Sequence, residues 1–145
     1  MINQLKKKAL IEYIKQRQKS NSRELLLSPG LYFDGYDDDH CTICANNSDP
    51  VSTSSFAARL QQIQERPDVS AVLVRFYEYS DAEDSKDCWI SSDSIYVVTN
   101  AGVEEVRDWF SDFEVSDVWL EPVPANFDGL PDIPDGFHLV AVWWD

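Results

Sequence analysis

Apolar residues recur along this chain with two different spacings, and the spacing assigns most of its elements. Over residues 2–19, Ile2, Leu5, Ala9, Leu10, Tyr13 and Ile14 fall three and four positions apart. That spacing places apolar side chains on one face of a helix. Lysines flank the stripe, and Ser20, Asn21 and Ser22 end it. The next stretch, "ELLLSPGLYF" at 24–33, is apolar but interrupted by Pro29 and Gly30, so a turn is expected inside it. A short strand is expected at 41–45. In "PVSTSSFAARLQQIQERPDV", Phe56, Leu60 and Ile63 share a helical face, Ser and Thr can cap its start, and Pro67 stops it. "SAVLVRFYEY" at 70–79 and "SIYVVT" at 94–99 are rich in β-branched and aromatic residues and read as strands. Between them "SDAEDSKDC" is a charged loop. A third helix follows, with Asn100 as its expected cap, Glu104 and Glu105 in its first turn, and Val103, Val106, Phe110 and Phe113 as its buried stripe. Residues 121–136, with four prolines and two glycines, read as an extended connection to a final strand, "FHLVAVWWD".

The predicted fold is therefore α+β and a single domain. An N-terminal helix precedes a ferredoxin-like β-α-β-β-α-β antiparallel sheet with its helices on one face. Residues 1–22 form a basic amphipathic helix packed on the domain, and 23–145 form one acidic α+β unit. Two strands are apolar on both faces: Val72, Val74 and Phe76 alternate with Ala71, Leu73, Tyr77 and Tyr79, and Val140, Val142 and Trp144 with Leu139, Ala141 and Trp143. Strands of this kind are covered on both sides. The cover for the second face is expected from the N-terminal helix or from the proline-rich segment, with a second subunit or a partner as the alternatives.

Charge sharpens this picture. The first 25 residues hold seven basic side chains against Glu12 and Glu24, a net +5, which leaves −19 on the remaining 120 of a 145-residue chain whose total is −14. A body this acidic repels nucleic acid and anionic membrane and attracts basic partners. Solubility is the alternative use of the same charge. No run approaches the roughly 18 apolar residues of a membrane span, and the N-terminus has no apolar core or cleavage site of a signal peptide. Three cysteines do not make a disulfide framework, so a reducing, cytoplasmic setting is expected.

The densest candidate chemistry is "DGYDDDHCTIC", residues 34–44. His40, Cys41 and Cys44 are three soft ligands, but zinc needs four or three plus water, and no second half follows at matching spacing. The pair does not directly precede a helix N-terminus that could activate a thiol. The aspartates lack the order of an EF-hand. There is no G-x-S-x-G and no glycine-rich phosphate loop. No catalytic residue and no cofactor are assigned, and the chain is expected not to be an enzyme.

The segments "QERPDVSAVLVRFYEY", "SDSIYVVTNAGVEEVRDWF" and "VWWD" resemble a family of small, acidic, uncharacterised bacterial proteins, over about residues 55–145. That resemblance carries no activity and no site residues. In size and charge alone the chain is similar to bacterial immunity proteins. Tryptophan and tyrosine set among carboxylates have the composition of a binding surface with a charged rim. The expected function is thus a protein-binding module, of immunity or inhibitor type, that docks on a basic protein through Asp37, Asp38, Asp39, Tyr79, Asp81, Glu83 and Asp84. The alternatives are a metal-binding protein using Asp37 to Cys44, and a domain whose sheet forms a homodimer.

Overall fold

In the computed structural model, which describes residues 1–122 and 126–145, the chain opens with helix α1, Gln4–Lys19. Asn3 caps it by accepting a hydrogen bond from the Lys6 amide at 3.1 Å, and Arg17 and Lys19 stand in its last turn, where the helix dipole favours cations. The buried stripe is Lys7, Leu10, Ile11 and Ile14. The helix is rolled from the expected face: Leu5 is 82% exposed and Tyr13 39%. The reason is Lys7, whose ammonium donates to the carbonyls of Ser85 at 2.8 Å and Cys88 at 3.1 Å. A lysine satisfied in this way can occupy a buried position that an unpaired one could not.

Strand β1 is Glu24–Leu27, followed by the short helix α2, Pro29–Tyr32, capped by Ser28. Proline sits in the first turn of α2, where its missing N–H costs nothing. The strand expected at 41–45 is instead one turn of 3-10 helix, Thr42–Cys44. The strand lies earlier, at "ELLL", because all three leucines there are buried, with Leu25 and Leu27 on one side and Leu26 on the other. Then come α3, Thr53–Gln64, capped by Ser52; β2, Val69–Arg75; α4, Ser80–Asp84, inside the expected charged loop; and β3, Ser94–Thr99. Helix α5, Val103–Trp109, starts after Gly102 and not after Asn100. The Glu105 carboxylate reaches back to the Gly102 amide at 3.3 Å, while the Asn100 amide donates to Asp68. Strands β4, Asp117–Glu121, β5, Phe127–Asp128, and β6, His138–Trp143, complete the described elements.

Among the described residues the strands form one six-stranded sheet in the order β4-β6-β3-β2-β1-β5. It is mixed: β1 and β5 are parallel and the other neighbours antiparallel. The expected ferredoxin-like order is not the one formed. In that order each helix joins two strands with another strand between them. Only β3-α5-β4 does this, with β6 inserted. Helix α3 joins β1 and β2, which are hydrogen-bonded antiparallel neighbours. The proline-rich segment, of which residues 123–125 lie outside the described residues, supplies β5 as well as a connection.

The helices do lie on one face. Leu10, Ile11 and Ile14 of α1, Phe56 and Leu60 of α3, Val106 of α5 and Phe110 just past its end share a core with Val72, Val74, Ile95, Val97, Val140 and Val142. The opposite face, Leu26, Leu73, Tyr96, Val98, Leu139 and Ala141, is covered by Phe127, Leu130, Ile133 and Phe137. The proline-rich segment is therefore the second cover, and α1 belongs to the first. The adjacent tryptophans separate as strand alternation requires: Trp144 is 3% exposed in the helix-side core, while Trp143 is half-buried on the other face. The β4 edge is guarded, since the Val118 amide donates to the Asp117 carboxylate at 2.8 Å and its carbonyl accepts from Arg107 at 3.3 Å. Groups blocked in this way are withheld from edge-to-edge pairing.

Candidate functional site

The two acidic segments singled out by the sequence converge on the start of α1. Residues 34–38 are laced to it by backbone hydrogen bonds: the Asn3 amide donates to Gly35 at 2.8 Å, and the Asp37 amide to Met1 at 3.1 Å. Gly35 has φ +87°, and a Cβ on it would stand 2.7 Å from the Lys6 Cβ, so both its conformation and the close approach of α1 require glycine. Behind the loop, Tyr36 stacks on Trp89 with centroids 5.0 Å apart, and its hydroxyl accepts from the Thr42 amide at 2.9 Å. Asp38 is pinned to the start of α3: its amide donates to the Thr53 hydroxyl at 2.9 Å, and the Thr53 amide returns a bond to its carbonyl at 3.0 Å.

The second segment approaches from the other side. Gln4 donates to the Lys86 carbonyl at 2.8 Å, and Lys7 fixes the carbonyls of Ser85 and Cys88. Helix α4 is thereby held beside α1. A cleft of about 260 Å³ opens between the segments, lined by Met1, Ile2, Gln4, Asp38, Lys86 and Asp87. A second cleft of about 380 Å³ runs between α1 and α4, with Lys7, Lys8, Ile11, Ala82, Glu83 and Lys86 on its walls.

The named carboxylates divide into two groups. Asp38 lies 3.6 Å from the Met1 ammonium, and Glu83 pairs with Lys15 at 2.8 Å. That hydrogen bond holds the Lys15 ammonium above its ordinary range. Tyr79 is half-buried, stacks on Phe76 at 5.8 Å, and has Lys15 Nζ at 5.4 Å from its ring centre. It anchors the start of α4. Asp37, Asp39, Asp81 and Asp84 are exposed and, among the described residues, make no ion pair.

The soft ligands do not come together with the aspartates. His40 is exposed while Cys41 and Cys44 are 1% and 3% exposed. Among the described residues no group of three or more His, Cys, Asp or Glu side chains is placed to hold a metal ion. The Cys44 thiol donates to the Cys41 carbonyl at 3.9 Å, and the two thiols lie against each other. This contact pushes Cys41 up and draws Cys44 below the ordinary thiol range. The other histidine, His138, has Nε2 2.6 Å from the Ala101 carbonyl.

Sequence reasoning missed a polar row on the second sheet face. Arg75 donates to Asp93 at 3.1 Å and Glu24 at 3.0 Å, and Trp143 Nε1 reaches Asp93 at 3.4 Å. One strand position along, the Glu121 carboxylate accepts from Tyr96 and from Trp119, both at 3.3 Å. The signal available was Arg75, the charge interrupting the apolar alternation of 71–77.

Comparison with known proteins places the chain. The model of the "Uncharacterized protein YfbO family" matches residues 5–142. The protein "Uncharacterized protein YfbO" of Escherichia coli (strain K12) is 33% identical over 107 residues, 73% of this chain and 73% of that one. No solved structure matches. The chain belongs to the YfbO family, and the match extends over the N-terminal helix as well as the segments that first suggested such a family.

Proposed function

We propose that this member of the YfbO family is a non-catalytic, cytoplasmic protein-binding module that docks on a basic protein through the ledge formed by residues 37–39 and 79–87. The observation that carries the reading is the convergence of those two segments around one cleft, with Asp37, Asp39, Asp81 and Asp84 exposed and free of ion pairs among the described residues. The molecule already uses the ledge to hold cations of its own, in Lys15 on Glu83 and Tyr79. Among the described residues no helix is long and apolar enough to cross a membrane. Exposed carboxylates repel nucleic acid and anionic membrane and attract basic surfaces, so a basic protein is the partner class argued for.

The test uses a fluorescent oligo-arginine peptide as probe. Its affinity for the native chain should fall steeply as salt rises, because exposed charges act over a Debye length of about 10 Å at 0.1 M ionic strength. The quadruple variant Asp37→Asn, Asp39→Asn, Asp81→Asn, Asp84→Asn should bind at least about tenfold more weakly, a change of about 1.4 kcal/mol. A control carrying Asp132→Asn and Asp135→Asn should bind as the native chain does. An equal loss per charge in both variants would mean that the net charge, and not the ledge, attracts the probe.

A further inference from the structure

We propose that Cys41 and Cys44 are a modification site: a dithiol that closes reversibly to an intrachain disulfide by exchange with a small-molecule disulfide of the glutathione type. The two residues frame one 3-10 turn, with Cys41 at its N-cap and Cys44 at its last position, and the Cys44 amide donates to the Cys41 carbonyl at 3.3 Å. Side chains three apart in such a turn stand one above the other. The ends of a turn of this kind lie within about 7 Å, and disulfides accept Cα separations of about 4.4–6.8 Å. The Cys44 sulfur points back across the turn, 3.9 Å from the Cys41 carbonyl oxygen. Cys88 lies on a different segment and is half-buried.

The chemistry balances without a metal or a cofactor. The Cys44 thiolate attacks one sulfur of the oxidised glutathione, and a glutathione thiolate leaves and takes up the proton that Cys44 lost. The Cys41 sulfur, giving up its own proton, then attacks the Cys44 sulfur of the mixed disulfide and expels the second glutathione as a thiol. Two protein thiols are oxidised to one disulfide, and one glutathione disulfide is reduced to two thiols. Access comes from opening of the 41–51 loop, which is closed at its ends by the bond from the Cys41 amide to the Val51 carbonyl at 2.7 Å and tied to the body by the Asn47 side chain on the Phe113 carbonyl at 2.7 Å and the Ser48 and Asp49 amides on the Glu114 carboxylate at 3.1 and 3.0 Å. A disulfide here fixes the turn that directly follows Asp37 to Asp39.

The full chain carrying Cys88→Ser is equilibrated in a buffer containing both oxidised and reduced glutathione, with the oxidised form in large excess, from the fully reduced state and, separately, from a sample oxidised beforehand while unfolded. Free thiols are then trapped with iodoacetamide under denaturing conditions and the intact mass is read. The expected product from both directions has lost two hydrogens, carries neither glutathione nor alkyl groups, and regains both thiols with dithiothreitol. Convergence on two alkylated cysteines, or on a stable glutathione adduct, would overturn the proposal. Adding Cys44→Ser to the same background should abolish the hydrogen loss. Its persistence in that variant would equally overturn the assignment.

Discussion

If α1 is held by its apolar stripe and not by its exposed ion pairs, truncating Ile14 should destabilise the protein far more than removing either exposed cation, Lys6 or Lys15. Ile14 is fully buried against the sheet, with Leu10 and Ile11 beside it. Ile14→Ala removes three carbons from a packed interior, losing their transfer free energy and leaving a cavity, a cost of about 2–5 kcal/mol. The ion pairs Lys6–Asp34 and Lys15–Glu83 join side chains that are 38–55% exposed, and exposed pairs contribute about 0–1 kcal/mol each. The same contrast appears in temperature. For about 150 residues, 1 kcal/mol moves the melting point by about 2–4 °C, so Ile14→Ala should lower it by about 10 °C and Lys15→Ala by about 3 °C or less. Urea unfolding followed by tryptophan fluorescence and far-ultraviolet circular dichroism gives both values. Wild type and Ile14→Ala should show equal slopes if α1 stays docked until global unfolding. A Lys15→Ala cost equal to that of Ile14→Ala would refute the reasoning and make the helix an electrostatic clamp. Loss of helical signal before the fluorescence change would show that α1 detaches on its own.

Two further measurements address the other cover of the sheet and the titration of its core. Gly129 has φ +94° and an added Cβ would stand 2.4 Å from the Leu26 carbonyl oxygen, whereas Gly136, at φ +81°, has open space around it. Gly136→Ala should therefore cost only the left-handed backbone term of about 1–2 kcal/mol, and Gly129→Ala clearly more, with the strand pair β1-β5 weakened; equal costs in urea titrations would contradict this. Burial pushes the phenols of Tyr32, Tyr36 and Tyr96 above their ordinary range. An acid whose folded pKa is raised contributes stability that is present below its unfolded value, about 10, and is lost as pH rises through the folded one. Alkaline titration should show these three tyrosinates forming together with unfolding above pH about 10; their ionisation with circular dichroism unchanged would be the contrary outcome.

The hydrophobic pattern was readable wherever one residue's neighbours in sequence determined its environment. The α3 and α5 stripes, β2, β3, β6 and the opposed directions of Trp143 and Trp144 follow from periods of 3.6 and 2. The errors occur where a distant group decided the outcome. Lys7 is buried because carbonyls some 80 residues away receive its protons, and no local pattern distinguishes it from Lys6 or Lys8. "ELLL" is a strand because Arg75 and Phe127 lie on either side of it in the sheet. The two-residue strand β5 is too short to carry any periodicity. The candidate ledge was legible as composition but not as geometry: the two acidic segments are about 40 residues apart, and α1 brings them to one cleft.

Part of the basic charge at the start of the chain is paired inside the fold, and this bears on what remains for a partner. Lys6, Lys15 and Arg17 of α1 are paired with Asp34, Glu83 and Asp128, so the basic helix is not a free cationic arm. What faces solvent near its start are carboxylates without such pairs among the described residues. Exposed charges of this kind raise association rates more than they deepen affinity, whereas tight complexes need buried anchors at their centre. The apolar groups in reach of the ledge are few: Met1 and Ile2 in the cleft between the two segments, Ile11 and Ala82 in the α1–α4 cleft wall and Leu5 on the outer side of α1. A partner that brings only positive charge should therefore bind quickly and leave quickly. One that lasts has to place an apolar side chain in the α1–α4 cleft, between Ile11 and Ala82, while its cations meet Asp81 and Asp84.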